Sequence, residues 1–239
     1  RRPPRSTLFP YKTLFRSAEK ILMGFEKNAQ GFYVPRTFYP GARSLVHRVS
    51  PEEPMILQAR KTFHQFLKQV AEIFPAEDRD KIQTWEVGEK NIHLSWGVFQ
   101  EHRQFLDQPV PELTPEDVQT IAGLIDQRIR EFDGAVELYR MGYAVTGDGG
   151  FVLLLIDPSG RLLPWQDRLL KEANEKTGGK VTGRPKRGHV SIGRILSLPY
   201  STDPNIRAEQ ERKVLEIARR TAAGFESEWA THLDRKSVV

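Results

Sequence analysis

The chain has 239 residues, of which 38% are hydrophobic and 28% charged, enough apolar material for one large domain or two small lobes. It contains no cysteine, which excludes disulfides, thiolate nucleophiles and Cys-based zinc sites. The formal net charge of +5 invites a polyanionic partner, but the excess sits at the ends: Arg1, Arg2, Arg5, Lys12 and Arg16 lie in residues 1–17, and Arg235 and Lys236 against one Asp234 lie in 234–239, so the interior is close to neutral.

Both end segments, RRPPRSTLFPYKTLFRS and DRKSVV, read like translated sequencing-adapter DNA. Residues 1–17 are expected to be disordered, 234–239 to be a tail of the same origin, and fold reasoning is confined to 18–233. No apolar run approaches the length of a membrane span; the longest, Phe151 to Ile156, is strand-sized. No apolar core of a secretory leader is visible. The expectation is a cytoplasmic protein with no membrane contact.

In chain order, Gly31 to Pro40 is rich in aromatics, including Tyr39, and ends in a Pro40-Gly41 turn signal. Ser44 to Val49 alternates as a strand and contains His47, which reads as a half-exposed strand residue. Pro51 to Phe74 reads as a helix, with Ser50 as N-cap, Pro51 at the first position and Ile56, Ala59, Phe63, Phe66, Leu67, Val70 and Ile73 on one face. His64 falls at the boundary of that stripe. Pro75 to Lys81 is a charged loop, and Ile82 to Val87 a further strand. Asn91 to Phe99 alternates again, with His93 and Ser95 on one face and Ile92, Leu94 and Trp96 on the other.

His102 lies just past that strand and reads as a solvated residue. Thr114-Pro115-Glu116-Asp117 opens a helix whose expected buried face is Val118, Ile121, Ala122, Ile125, Ile129 and Phe132. Two β-rich runs, Ala135 to Thr146 and Gly150 to Asp157, flank a glycine-rich hairpin signal. That glycine run lacks the Lys-Ser/Thr and helix of a phosphate loop. Trp165 to Glu175 reads as a helix. A basic loop, Gly178 to Gly188, precedes Arg187 to Leu196, which alternates as a strand with His189 and Ser191 on one face. Arg194 is at odd offset from both and points away under simple alternation, unless Gly193 marks a bulge. Asp203-Pro204 starts a last helix with Ile206, Val214, Ile217 and Ala218 inward.

The informative feature is the repeated device. His93-Leu94-Ser95-Trp96 and His189-Val190-Ser191-Ile192 are both His-apolar-Ser-apolar, each inside an expected strand. With ordinary composition, two such tetrapeptides among 6 histidines arise by chance roughly a few times per thousand. Two strands that each offer an imidazole and a hydroxyl can form a two-sided site for one phosphate. Opening a cyclic phosphate needs one group to take a proton from water and another to protonate the leaving ribose oxygen, and histidine does either near neutral pH. The hydroxyls would donate to the non-bridging oxygens.

The two tetrapeptides and the order of elements from about residue 31 to 222 resemble the 2H phosphoesterase superfamily, 2′-5′ RNA ligase-like and cyclic phosphodiesterase-like proteins, and within it a poorly characterised bacterial and fungal branch. Both hydroxyls are Ser where many members carry Thr, and Trp96 is bulkier than usual in its slot. The resemblance implies an α+β fold: a single bilobal domain over 18–233, with two antiparallel β-sheets facing each other across a cleft and helices on the outside. It implies a metal-free phosphodiesterase with no cofactor, catalytic His93 and His189, and phosphate-binding Ser95 and Ser191. The expected partner is a nucleotide or RNA with a cyclic phosphate end, bound by a monomer. Substrate-side candidates are Trp96, Tyr39, Lys186 and Arg187, against the plainer readings of core packing for the aromatics and a solvated loop for the cations. The alternatives are an RNA 3′-end exonuclease using the same histidines, an idle RNA- or nucleotide-binding module, and a structural protein with two coincidental strand histidines. Either histidine can serve as the acid and the other as the base.

Overall fold

The computed structural model describes residues 25–27, 29, 33–35, 43–100, 111–131, 136–146, 149–183, 188–229 and 236–238; for 25–27, 33–35, 43, 95, 96, 223–229 and 236–238 the description is of the backbone. The expectations placed on residues 1–17, Tyr39, His102, Lys186 and Arg187 lie outside these residues.

Helix and strand combine as an α+β fold. A two-stranded antiparallel pair, β1 (Phe25–Lys27) and β2 (Tyr33–Pro35), stands apart from a larger sheet. That sheet holds β3 (Arg43–Arg48), β4 (Gln83–Glu86), β5 (His93–Gln100), β6 (Glu137–Val145), β7 (Gly150–Ile156), β8 (His189–Ser197) and β9 (Lys236–Val238). Its order is β3-β5-β8-β7-β6-β9, every pairing antiparallel, with β4 also on β8. One edge of β8 faces β7, so β5 and β4 share the other edge, β5 near its start and β4 towards its end. The part of the sheet carrying the first motif joins the part carrying the second through one residue pair, Leu94 and Val190. Two separate sheets are the sequence expectation; among the described residues the ladder runs on through this seam.

Four α-helices are described, α1 (Pro54–Ala71), α2 (Pro115–Ile129), α3 (Leu162–Lys176) and α4 (Pro204–Trp229), with two short 3-10 helices, Ala76–Lys81 and Glu89–Asn91, the first lying in the expected charged loop. Helix α1 packs on β8 and α4, α3 packs on β5 and α2, and α4 packs on β6. They cover the sheet face carrying Leu94, Val190, Ile192 and Leu153, each at most 1% exposed. Phe63 and Phe66 of α1 meet the Phe151 ring there at centroid distances of 5.2 and 5.7 Å, and Tyr143 stacks on it at 5.4 Å. Burying four rings in one cluster removes a large apolar area from water, which makes this junction of α1, β6 and β7 the centre of the core. No helix among the described residues is long and apolar enough to cross a membrane.

Some expectations shift. Helix α1 begins at Pro54 rather than Pro51, because Ser50 is spent on a turn: its Oγ accepts from Glu52 N–H and its carbonyl from Glu53 N–H. Helix α2 starts as read, with a reciprocal Thr114–Asp117 capping box. Its buried face is Ile121 and Leu124, however, while Val118 and Ile129 are 38% and 51% exposed. The rotation follows from packing on α3, where the Arg128 side chain bonds Glu172 and the Arg128 backbone oxygen accepts from the Trp165 indole N–H. Helix α3 starts at Leu162, since the Asp157 carboxylate caps Leu162 N–H at 2.7 Å. In α4 Ile206 is 54% exposed, and Gln210 turns inward instead to accept from Ser201 N–H at 2.9 Å.

Candidate active site

Leu94 and Val190 sit directly across from each other on antiparallel strands. Continuing that antiparallel register by one step in each direction would set His93 opposite Ser191 and the Ser95 position opposite His189. Alternation along each strand puts His93, His189 and Ser191 on the sheet face opposite to the buried Leu94 and Val190. Directly opposed Cβ atoms on such strands lie about 4.5–5.5 Å apart and the diagonal pair, here His93 and His189, roughly 7–8 Å. That separation leaves room for one tetrahedral anion between two imidazoles. His93, His189 and Ser191 are all half-buried, neither sealed in hydrocarbon nor fully in solvent. The two motifs therefore converge, although 96 positions separate them in sequence.

The His93 ring is held by its own strand entry. Its Nδ1 lies 2.7 Å from the Asn91 carbonyl oxygen. A carbonyl only accepts, so Nδ1 carries a proton and donates it. This fixes the ring and leaves Nε2 as the nitrogen for proton exchange with a bound substrate.

Cross-strand register brings up two cations that spacing along the chain does not reveal. Arg48 on β3 is the direct partner of His93, on the same face. Arg194 also joins that face. On β7, Gly150, Val152 and Leu154 alternate regularly and pair with Arg194, Ser191 and His189, while the register shifts at Phe151, which pairs with Gly193. Ile192 and Gly193 thus form a bulge, both buried, and Arg194 returns to the side of the histidines. Trp85 of β4 is the cross-strand partner of Arg194.

His47 is the partner of Leu94, on the alternate position from His93, and does not join the pair. His64 bonds Glu86 Oε2 at 2.9 Å, beside the Arg60–Glu86 ion pair at 3.2 Å, and lies 61% exposed at the boundary where it is expected. Trp96 is the extra residue of a bulge in β5, between Ser95 opposite Val46 and Gly97 opposite Leu45. The basic loop is anchored on both sides of its undescribed residues 184–187. Thr182 and Gly183 N–H donate to the Phe99 carbonyl at 3.0 and 3.3 Å, and the Gly188 carbonyl accepts from Leu155 N–H at 2.8 Å. Upstream, Lys180 Nζ donates to Asp117 Oδ2 at 2.6 Å. That bond, with the Thr114 N–H, holds the Asp117 carboxyl below its usual range.

Among the described residues no cluster of three or more His, Asp or Glu side chains is arranged to hold a metal ion. A depression of about 260 Å³ lies elsewhere, lined by Glu137, Tyr139, Asp157, Pro158, Ser159 and Arg161. Its Asp157 is engaged in capping, accepting from Ser159 N–H and Oγ–H and from Leu162 N–H. No family model matches the chain, and no curated protein matches it.

Proposed function

We propose that the chain is a metal-independent phosphodiesterase of the 2H phosphoesterase type, opening a 2′,3′-cyclic phosphate or a 2′-5′-type linkage in a nucleotide or RNA end. The observation that carries this reading is the antiparallel pairing of Leu94 with Val190, the residues that stand between the His and the Ser of each motif. In this reading the chain acts as a cytoplasmic monomer, and the halves carrying β5 and β8 are two lobes whose facing surfaces open from the Leu94–Val190 seam.

The chemistry follows from the residue types. One neutral imidazole takes a proton from water as the oxygen attacks phosphorus. The bond from phosphorus to one ribose oxygen breaks, and the other, protonated imidazole delivers a proton to that oxygen. The product is a phosphomonoester beside a free hydroxyl, and the two rings regain their starting states by proton exchange with solvent. Ser95 and Ser191 hydroxyls donate to the non-bridging oxygens as charge builds there, and Arg194 adds a cation on the same face. Preorganised donors of this kind act on the transition state more than on the substrate, so they serve rate rather than binding.

The test is incubation with nucleoside 2′,3′-cyclic phosphates, with and without EDTA, following products by chromatography. Conversion to a single phosphomonoester, indifferent to chelator, is the expected result. Loss of conversion on chelation overturns the metal-independent mechanism, and tight nucleotide binding without turnover supports the idle binding module in its place.

A further inference from the structure

We propose that Arg48 is a specificity residue that binds a second phosphate of the substrate, so that the preferred substrate is an oligonucleotide end rather than a lone cyclic nucleotide. The inference rests on the phosphodiesterase reading and names the substrate class of that site.

Three observations carry it. Arg48 is the direct cross-strand partner of His93, on the face that holds the motif pairs. Its side chain is exposed, at the last residue of β3. It also makes no ion pair or hydrogen bond among the described residues, whereas Arg60, Arg128, Arg207 and Arg212 are each taken up by a glutamate. An arginine kept free of carboxylates beside an anion site is available to an incoming anion, and its planar fork matches two phosphate oxygens at once.

Position decides which phosphate. The reacting phosphate lies between β5 and β8, where the histidines are diagonal. Arg48 stands on the next strand outward, about one strand spacing of 4.8 Å beyond His93 and two from Ser191. The reacting group is already served by two imidazoles and two hydroxyls. A fork based outside them is placed for the neighbouring phosphodiester of a chain that enters across β3. A cyclic mononucleotide has no such group.

The experiment compares adenosine 2′,3′-cyclic phosphate with a diadenylate that ends in the same cyclic phosphate. The full chain is assayed as wild type, Arg48→Ala and Arg48→Lys, with thermal melts to check folding. The ratio of kcat/KM on the dinucleotide to that on the mononucleotide is expected to fall about tenfold in Arg48→Ala, mostly through KM, and less in Arg48→Lys, which keeps the charge without the fork. Raising salt should shrink the wild-type ratio towards that of Arg48→Ala. An unchanged ratio overturns the inference. So does an equal loss on both substrates, which would put Arg48 at the reacting phosphate, and both results leave the phosphodiesterase reading standing. A wild-type protein that turns over neither substrate removes that reading and the inference with it.

Discussion

Replacing Gly193 with Ala should destabilise the protein and disturb the site through one contact. Gly193 lies in the β8 bulge, and a Cβ there would press into the Phe63 ring, with Cζ at 2.6 Å and Cδ1 at 2.9 Å. Ordinary carbon contacts are about 3.5–4.0 Å, so the ring would have to retreat by roughly 1 Å or more. Phe63 has little room to do so: it is 1% exposed and already lies 5.2 Å from the Phe151 ring. Overpacking of this kind costs about 1–3 kcal/mol. For a chain of this size that lowers Tm by roughly 2–4 °C per kcal/mol, so a fall of about 6 °C is the central expectation. Gly123→Ala is the control. No atom lies within 4 Å of its added Cβ, it is exposed in α2, and alanine there should raise stability by about 0.5–1 kcal/mol. Adding Phe63→Leu to Gly193→Ala should cost less than the two changes summed, because the smaller side chain relieves the clash. Differential scanning calorimetry on the four variants reads all of this. A Gly193→Ala protein that melts with the wild type, or a strictly additive double variant, would refute the bulge packing and with it the placement of Arg194.

Ser191→Ala should lower kcat on a 2′,3′-cyclic nucleotide about a hundredfold with little change in KM, since its hydroxyl is assigned to charge that develops in the transition state. A variant that changes KM alone, in steady-state assays, would make Ser191 a binding group instead. The pH profile of kcat/KM should be bell-shaped, because one ring must start neutral and the other protonated; a single-limbed profile across the stable range speaks against paired histidines. Asp117→Asn should weaken the clamp that holds the base of the basic loop, lowering Tm at neutral pH. Lys180 and the Thr114 N–H depress the Asp117 pKa in the folded state. Its contribution is therefore complete above the unfolded value, about pH 3.9, and is lost as pH falls through the lower folded value. The gap in Tm between wild type and variant should narrow below about pH 4, and a gap constant down to pH 2 would contradict the linkage.

What the sequence conveyed depended on how local the determining physics was. The motif strands were legible because period-two alternation needs only neighbours: Leu94 and Val190 are buried as the pattern demands. The core face of α1 was legible for the same reason, with Phe63, Phe66 and Val70 inward. Arg194 was legible only as a condition on a bulge at Gly193; the bulge forms, and what makes room for it is Phe63, a partner 130 positions earlier that no local pattern reveals. Arg48 was hidden by topology: β5 lies between β3 and β8, so the neighbour of His93 comes from a strand that no local pattern links to it. In α4 Val214, Ile217 and Ala218 are buried as the spacing indicates, and only Ile206 stays outside, where Gln210 turns inward to satisfy the Ser201 N–H; in α2 Ile121 is buried as read while Val118 and Ile129 are exposed.

The most direct test of the paired-histidine account is a double-mutant cycle on turnover. His93→Ala and His189→Ala should each reduce kcat/KM on a 2′,3′-cyclic nucleotide by about 10²–10⁴-fold, and the double variant should lose little beyond either single change, as expected of groups that act as one unit. Near wild-type turnover in either single variant, or two small losses that simply multiply, would contradict it.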